Sequence, residues 1–272
     1  MKKKRILIIG KRSFVGSNLY FFLKNKEKVN ICDFVQAKKK NLKKYDYLIN
    51  CTSNKKYINN KYSIQNDFDL NLSKKIEKSN TKYIFLSSRK VYKPEPNITE
   101  KSQLSPRNNY AKNKLITEKK ILNILSKRAI ILRISNLIGN KIKLTKKKLH
   151  FTYIDHFYKN LNNKIIIINK KIYKDFLPIS IFCKIIHKII KKDIYGIYNV
   201  SMGKKVFLDK LNQWLITKKK NANHKVKILN KQNKTDSFYL NNKKLIKKLK
   251  INFNLNDLKK ECRKVSKNHY KW

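Results

Sequence analysis

A parallel sheet with helices on both faces, an α/β fold, is what this sequence predicts, and three observations carry the expectation. Short apolar runs without polar alternation recur at 5–9, 29–33, 47–50, 83–87 and 129–133, as suits strands buried on both faces. Helical patterning falls between them at 16–25, 66–79 and 109–126, so strand and helix alternate to about residue 140. Glycines punctuate the junction of the first strand and the first helix.

That junction has the chemistry of a nucleotide site. The run Arg5-Ile-Leu-Ile-Ile-Gly10 breaks into Gly10-Lys-Arg-Ser13-Phe14-Val15-Gly16, and a helix follows. Glycines there let the backbone approach a pyrophosphate, while the helix N-terminus supplies unpaired N–H groups and a partial positive charge. Val29-Asn-Ile-Cys-Asp33 then forms a second strand ending in a carboxylate, placed to hydrogen-bond an adenosine ribose. Such an acid repels a 2'-phosphate and so favours NAD over NADP.

A proton-transfer pair lies further along. In Tyr110-Ala-Lys-Asn-Lys114 the helical period sets phenol and ammonium on one face, one turn apart, where the lysine favours the phenolate. Ser88, at the end of the strand upstream, is placed to hold the reacting oxygen. The spacing by itself also fits an exposed helix face, since tyrosine and lysine are abundant here.

Composition narrows the class. With 272 residues, 41% of them hydrophobic, the chain can bury one sizeable core plus a smaller lobe, and five Gly with four Pro leave no flexible linker. The formal net charge is +52, yet lysines lie in every segment beside Asn, Ile, Tyr and Phe; only clusters such as 38–40, 146–148 and 218–220 stand out. That is the mixture an A+T-rich coding sequence produces, with lysine at solvated positions and no dedicated nucleic-acid surface. Cys32, Cys51, Cys183 and Cys262 lie far apart, with no metal-ligand spacing or disulfide framework. The basic start is followed by an apolar run that stops at Gly10, too short for a translocation signal, and 165–168 is too short to span a membrane. A cytoplasmic, membrane-free protein without a metal is expected.

Taken together, these motifs resemble the extended short-chain dehydrogenase/reductase family, the NAD-dependent epimerases, dehydratases and reductases of nucleotide sugars. Gly10 and Gly16 match the outer glycines of its Gly-x-x-Gly-x-x-Gly turn, with Ser13 at the middle position. Ser88 with Val91-Tyr92 matches its Ser-x-x-Val-Tyr segment, and Tyr110 with Lys114 its catalytic pair. Leu132-Arg-Ile-Ser-Asn136-Leu-Ile-Gly139, Lys174-Asp175-Phe-Leu-Pro-Ile and Gly196-Ile-Tyr-Asn199-Val-Ser resemble its later segments. Ser13 must fit beside the pyrophosphate or donate to it, and Lys174 exchanges an arginine fork for a point charge. Arg89-Lys90 stands where the family's 4,6-dehydratases carry Asp-Glu, so dehydration lacks its acid and base.

The resemblance implies a Rossmann-like doubly wound parallel sheet with a small C-terminal substrate lobe. The NAD-binding domain would comprise 1–140 and 173–201, and the lobe 141–172 and 202–272, including Asp236-Ser-Phe-Tyr-Leu-Asn-Asn and an amphipathic stretch over 245–258. It also implies an enzyme exchanging hydride at a sugar carbon, C4, with Ser88, Tyr110 and Lys114 catalytic. Gly10, Ser13, Phe14, Val15, Gly16, Asp33, Cys51, Thr52, Tyr110 and Lys114 would line the dinucleotide, and Ser88, Asn136 and Lys174 would meet a nucleotide-sugar substrate. Two alternatives stand beside a 4-epimerase: a 4-keto reductase of the dTDP-4-dehydrorhamnose type, suggested by Tyr45-Asp-Tyr-Leu-Ile-Asn50, and a non-catalytic dinucleotide-sensing or nucleic-acid-binding relative. Relatives often dimerise through the tyrosine helix, which implies a homodimer.

Overall fold

In the computed structural model, which describes residues 2–140, 142, 153–162, 165–168, 172–216, 225–228 and 237–269, strand and helix alternate as the apolar runs predict. The order is β1 (Arg5–Ile9), α1 (Phe14–Leu23), β2 (Lys28–Cys32), α2 (Phe34–Lys38), β3 (Tyr47–Asn50), α3 (Lys55–Asn59), α4 (Phe68–Lys75), β4 (Lys82–Ser88), α5 (Asn109–Leu125) and β5 (Ala129–Ile134). Then come β6 (Asn136–Ile138), α6 (Tyr153–Asn162), β7 (Ile165–Ile168), β8 (Tyr173–Lys174), β9 (Phe176–Pro178) and α7 (Ile179–Lys192). The chain finishes through β10 (Gly196–Val200), β11 (Val206–Phe207), α8 (Leu208–Leu215), β12 (Lys225–Ile228), α9 (Lys243–Leu249) and α10 (Leu255–His269). The lysine clusters 146–148 and 218–220, Asp236 and most of 141–152 lie outside the described residues.

Six strands form one sheet in the order β10-β5-β4-β3-β1-β2, with every neighbouring pair parallel. From β1 the chain steps outward to β2 and then returns to the other side as β3. The reversal leaves a crevice beyond the C-terminal ends of β1 and β3, the place where such sheets bind ligands. Alternation along the strands divides the core: Ile6, Ile8, Ile49 and Leu132 meet Leu19 of α1 and Phe182 and Ile186 of α7 on one face. Leu7, Ile9, Leu48 and Phe85 meet Phe34 of α2 and Ile121 and Leu125 of α5 on the other. Each such side chain contributes roughly 1.5–3 kcal/mol by leaving water.

Beyond the sheet, β6 pairs with β9, β8 with β11 and β7 with β12, and a further core gathers Ile138, Phe157, Leu211, Leu258 and Cys262. The amphipathic stretch 245–258 is two helices rather than one. Lys250 turns left-handed at φ 49° and ends α9, while at the start of α10 the Asn254 side chain accepts from Asn256 N and the Asp257 carboxylate accepts from Asn254 N, both at 2.9 Å. The short helices α2 and α3 carry too few apolar residues to show a period; Asp33 and Asn54 start them as side-chain N-caps.

One buried ion pair fastens α5 to the sheet. Arg133 of β5 donates to Glu118 of α5 at 2.7 and 3.1 Å, and to the Tyr92 hydroxyl at 2.8 Å. The Ser87 hydroxyl donates to the same carboxylate, and Tyr92 donates to Asn199 of β10 at 2.9 Å. Removing one ion strands the other in a dry interior. Glu118→Ala is therefore expected to lower unfolding free energy by about 3–5 kcal/mol in urea titration, and Glu118→Leu combined with Arg133→Met by much less.

Candidate active site

The first strand ends in a turn that only glycine can make. Gly10 has φ +117°, and a Cβ there would lie 2.7 Å from Thr52 Cγ2 and 3.2 Å from the Cys51 carbonyl carbon. At Gly16 a Cβ would lie 2.3 Å from the Gly10 carbonyl oxygen. Ser13 caps α1: its Oγ accepts from Gly16 N at 2.9 Å and donates to the Gly10 carbonyl at 2.9 Å. Its hydroxyl thus holds the turn itself, while Phe14 and Val15 open the helix and pack against the sheet.

Asp33 follows β2 beside this turn. One oxygen accepts from Gln36 N at 2.9 Å as the cap of α2, and the other lies 3.9 Å from Lys11 Nζ. Glycine at the points of closest approach, a helix N-terminus at the strand end and an acid after the second strand fit a dinucleotide. Cys51 and Thr52 border the same turn from the end of β3. Burial pushes the Cys51 thiol well up, so it serves as an inert wall there.

Tyr110 and Ser88 open onto one cleft of about 530 Å³, which Ile58, Asn59, Lys90, Asn108 and Asn109 complete. The cleft exists because Asn108 caps α5 through Ala111 N at 3.0 Å, setting Tyr110 in its first turn. Asn113 then ties α3 to α5 by donating to the Tyr57 and Asn60 carbonyls at 2.7 and 2.9 Å. Ser88 Oγ accepts from Lys90 N at 3.2 Å, which leaves its O–H to donate into the cleft. Lys90 Nζ stands 5.8 Å from the Tyr110 ring centre, and among the described residues that line this cleft none is an acid.

Lys114 lies one turn below Tyr110, buried. Its Nζ is 3.7 Å from Asp69 Oδ2 and 4.4 Å from the Phe85 ring centre. Asp69 is held in turn by the Tyr83 hydroxyl at 2.7 Å and by Asn50 Nδ2 at 2.9 Å. Burial raises the Asp69 carboxyl above its usual range, against the pull of the Lys114 charge. The Tyr57 phenol beside them is also raised, again by burial, and its hydroxyl bonds Thr117 at 2.8 Å.

Asn136 and Lys174 do not join the lining of this cleft. The Asn136 amide donates to the Asp175 carbonyl at 3.1 Å, and Lys174 is a strand residue opposite Val206. Asp175 itself accepts from the backbone N–H of Met202, Gly203 and Leu240 at 2.9, 3.0 and 3.2 Å, clamping three segments together. Burial pushes its carboxyl up to about 6 against those donors. Arg89 stacks on Phe238 at 3.7 Å. Asp69 is the site residue that the motifs do not mark, although an acid on a predicted helix is a signal in a chain with only 16 of them.

The turn geometry sets a test. Gly16→Ala is expected to displace the Gly10 carbonyl and weaken NAD binding by about a hundredfold, roughly 2.7 kcal/mol, with little loss of helix content. Calorimetric affinity within threefold of wild type would separate the turn from the cofactor.

Residues 6–201 match the model of the NAD dependent epimerase/dehydratase family. No curated protein sequence matches the chain. Among solved structures it is similar to a UDP-N-acetylglucosamine 4-epimerase from Methanobrevibacter ruminantium in complex with UDP-N-acetylmuramic acid, with TM-score 0.80 and 20% identity over 100% of this chain and 99% of that one. It is also similar to RMD from Pseudomonas aeruginosa complexed with NADPH, with TM-score 0.75 and 16% identity over 98% and 97% of the two chains. WbmH from Bordetella bronchiseptica, in complex with NAD+, gives TM-score 0.75 and 15% identity over 99% of each. At these identities the structural likeness establishes the fold, and among the described residues no helix is long and apolar enough to cross a membrane. The family match over most of its length, with the glycine turn and the Tyr110–Lys114 helix in place, makes this chain a member of the NAD-dependent epimerase/dehydratase family.

Proposed function

We propose that the protein is an NAD-dependent 4-epimerase of a nucleotide sugar, with Tyr110 as the acid/base. The observation that carries this reading is a single cleft shared by Ser88 and Tyr110, with Lys114 buried one turn beneath the phenol. Bound NAD would supply the hydride chemistry at its nicotinamide ring. Gly10, Ser13 and Gly16 would seat its pyrophosphate, Asp33 its adenosine ribose and Lys114 its nicotinamide ribose.

The protein's own work is on the proton. Ser88 donates to the sugar C4 oxygen and orients it, and Tyr110 takes the hydroxyl proton as hydride leaves the same carbon. Return of hydride to the other face, with the proton going back from Tyr110, inverts C4 without net redox change. The ammonium of Lys114 steadies the phenolate between the two half-reactions. Among the described residues the lining is neutral or basic, with Lys90 in place of an acid, which favours oxidation and re-reduction over loss of water.

Tyr110→Phe is expected to keep the fold and NAD affinity while turnover falls by about a hundredfold or more. Retention of most activity would return the protein to a non-catalytic reading. A nucleotide-sugar panel followed at the reduced-nicotinamide band distinguishes the chemistries: an epimerase shows no net absorbance change while product forms, whereas a 4-keto reductase consumes the reduced cofactor stoichiometrically.

Cofactor choice rests on Asp33. NAD is expected to bind at least about tenfold tighter than NADP, or 1.4 kcal/mol, and Asp33→Ser to narrow that gap. Equal affinities in calorimetry would mean that lysines such as Lys11, 3.9 Å from the carboxylate, accept the 2'-phosphate.

A further inference from the structure

Lys114 has a built counter-ion that the acid/base chemistry does not itself require. The side chains of Lys114 and Asp69 are each 5% exposed, and 3.7 Å separates the ammonium from the carboxylate. Asp69 Oδ1 is spent on Tyr83 at 2.7 Å and Asn50 at 2.9 Å, which fixes Oδ2 toward the lysine. Asn50 passes the constraint on. Its Oδ1 accepts from the Thr52 backbone N at 3.0 Å and the Thr52 hydroxyl at 2.9 Å, and Thr52 is the residue that closes over Gly10.

We propose that Asp69 is a positioning residue that holds the Lys114 ammonium in place beneath Tyr110, and that Asn50 couples this pair to Thr52 at the glycine turn. The proposal rests on the acid/base reading of Tyr110 and Lys114. The titratable groups around the pair come from every neighbouring element: Cys51 after β3, Tyr57 on α3, Asp67 at the cap of α4 and Asp69 within it, Tyr83 on β4 and Tyr110 on α5 itself. Asp67 is the other carboxylate, and its oxygens are engaged by Leu70 N, Tyr62 and Thr117. Asp69 is thus the carboxylate within ion-pair distance of the lysine among the described residues. The rest are a thiol and phenols, of which Tyr110 becomes an anion within the proposed reaction. Without Asp69 the lysine is an uncompensated charge in a dry place, no longer held beneath the phenol, and the phenolate loses its support.

Asp69→Asn tests this, because an amide oxygen still accepts from Tyr83 and Asn50 while the charged oxygen that faces the lysine is lost. With wild type turning over a nucleotide sugar, kcat is expected to fall about tenfold while KM stays within about twofold. A kcat within about twofold of wild type, or a loss confined to KM, overturns the proposal. Urea unfolding of Asp69→Asn, Lys114→Met and the double variant gives a readout independent of activity. Each single change is expected to lower the midpoint, and the pair together to recover most of the loss; additive losses overturn the coupling. A wild type that binds NAD yet turns over no nucleotide sugar overturns the acid/base reading instead, and there the unfolding cycle decides alone for or against the pair.

Discussion

The site depends on how α5 is held against the sheet. Tyr110, Lys114 and Glu118 follow one another at successive turns of a single helix face, and they descend from the cleft into the interior. Glu118 at the bottom is locked by Arg133 and Ser87, Lys114 in the middle by Asp69, and Tyr110 at the top is left facing the cleft with Ser88. A rotation or slide of α5 would break two buried ion pairs at once. Since a buried ion that loses its partner costs several kcal/mol, the phenol is positioned by electrostatics two turns away from it.

The same logic joins the two halves of the site. The turn after β1 and the loop after β3 meet at Gly10 and Thr52, where the sheet order reverses. Asn50 and Asp69 carry that meeting point across to Lys114. The glycine turn and the Tyr110–Lys114 helix are therefore linked through packing at Thr52, the hydrogen bonds of Asn50 and one ion pair, although they come from segments about a hundred residues apart.

Much of this was legible in the sequence because its signals are local. The runs at 5–9 and 47–50 are strands to the residue, since a strand buried on both faces has no polar position to blur its ends. Gly10, Gly16, Tyr110 and Lys114 are legible because a turn and a helix period fix their relation without any distant contact. The short helices after Asp33 and Asn54, and the break at Lys250, depend on a side-chain cap or one left-handed residue, which no periodicity records. The Asp69–Lys114 and Glu118–Arg133 pairs require the packing of α4, α5 and β5, so spacing along the chain could not reveal them.

Charge composition itself becomes informative when acids are read in place of bases. Lysine and arginine number 68 and occupy every kind of surface, so the position of any one of them says little. Only 16 acids offset them, and among the described residues six of these, Glu27, Asp67, Asp69, Glu118, Asp175 and Glu261, are buried. Glu118 and Asp69 neutralise buried cations, Asp175 gathers three backbone N–H groups, and Asp67 caps α4 through Leu70 N. Each occupies a place where a lysine would leave a buried cation or a bare N–H without its partner. A drift of composition toward lysine can remove acids freely from the surface, where an ion pair is worth little. It cannot remove them from these positions without stranding a buried partner, and three of them, Asp67, Asp69 and Glu118, hold the helix that carries Tyr110.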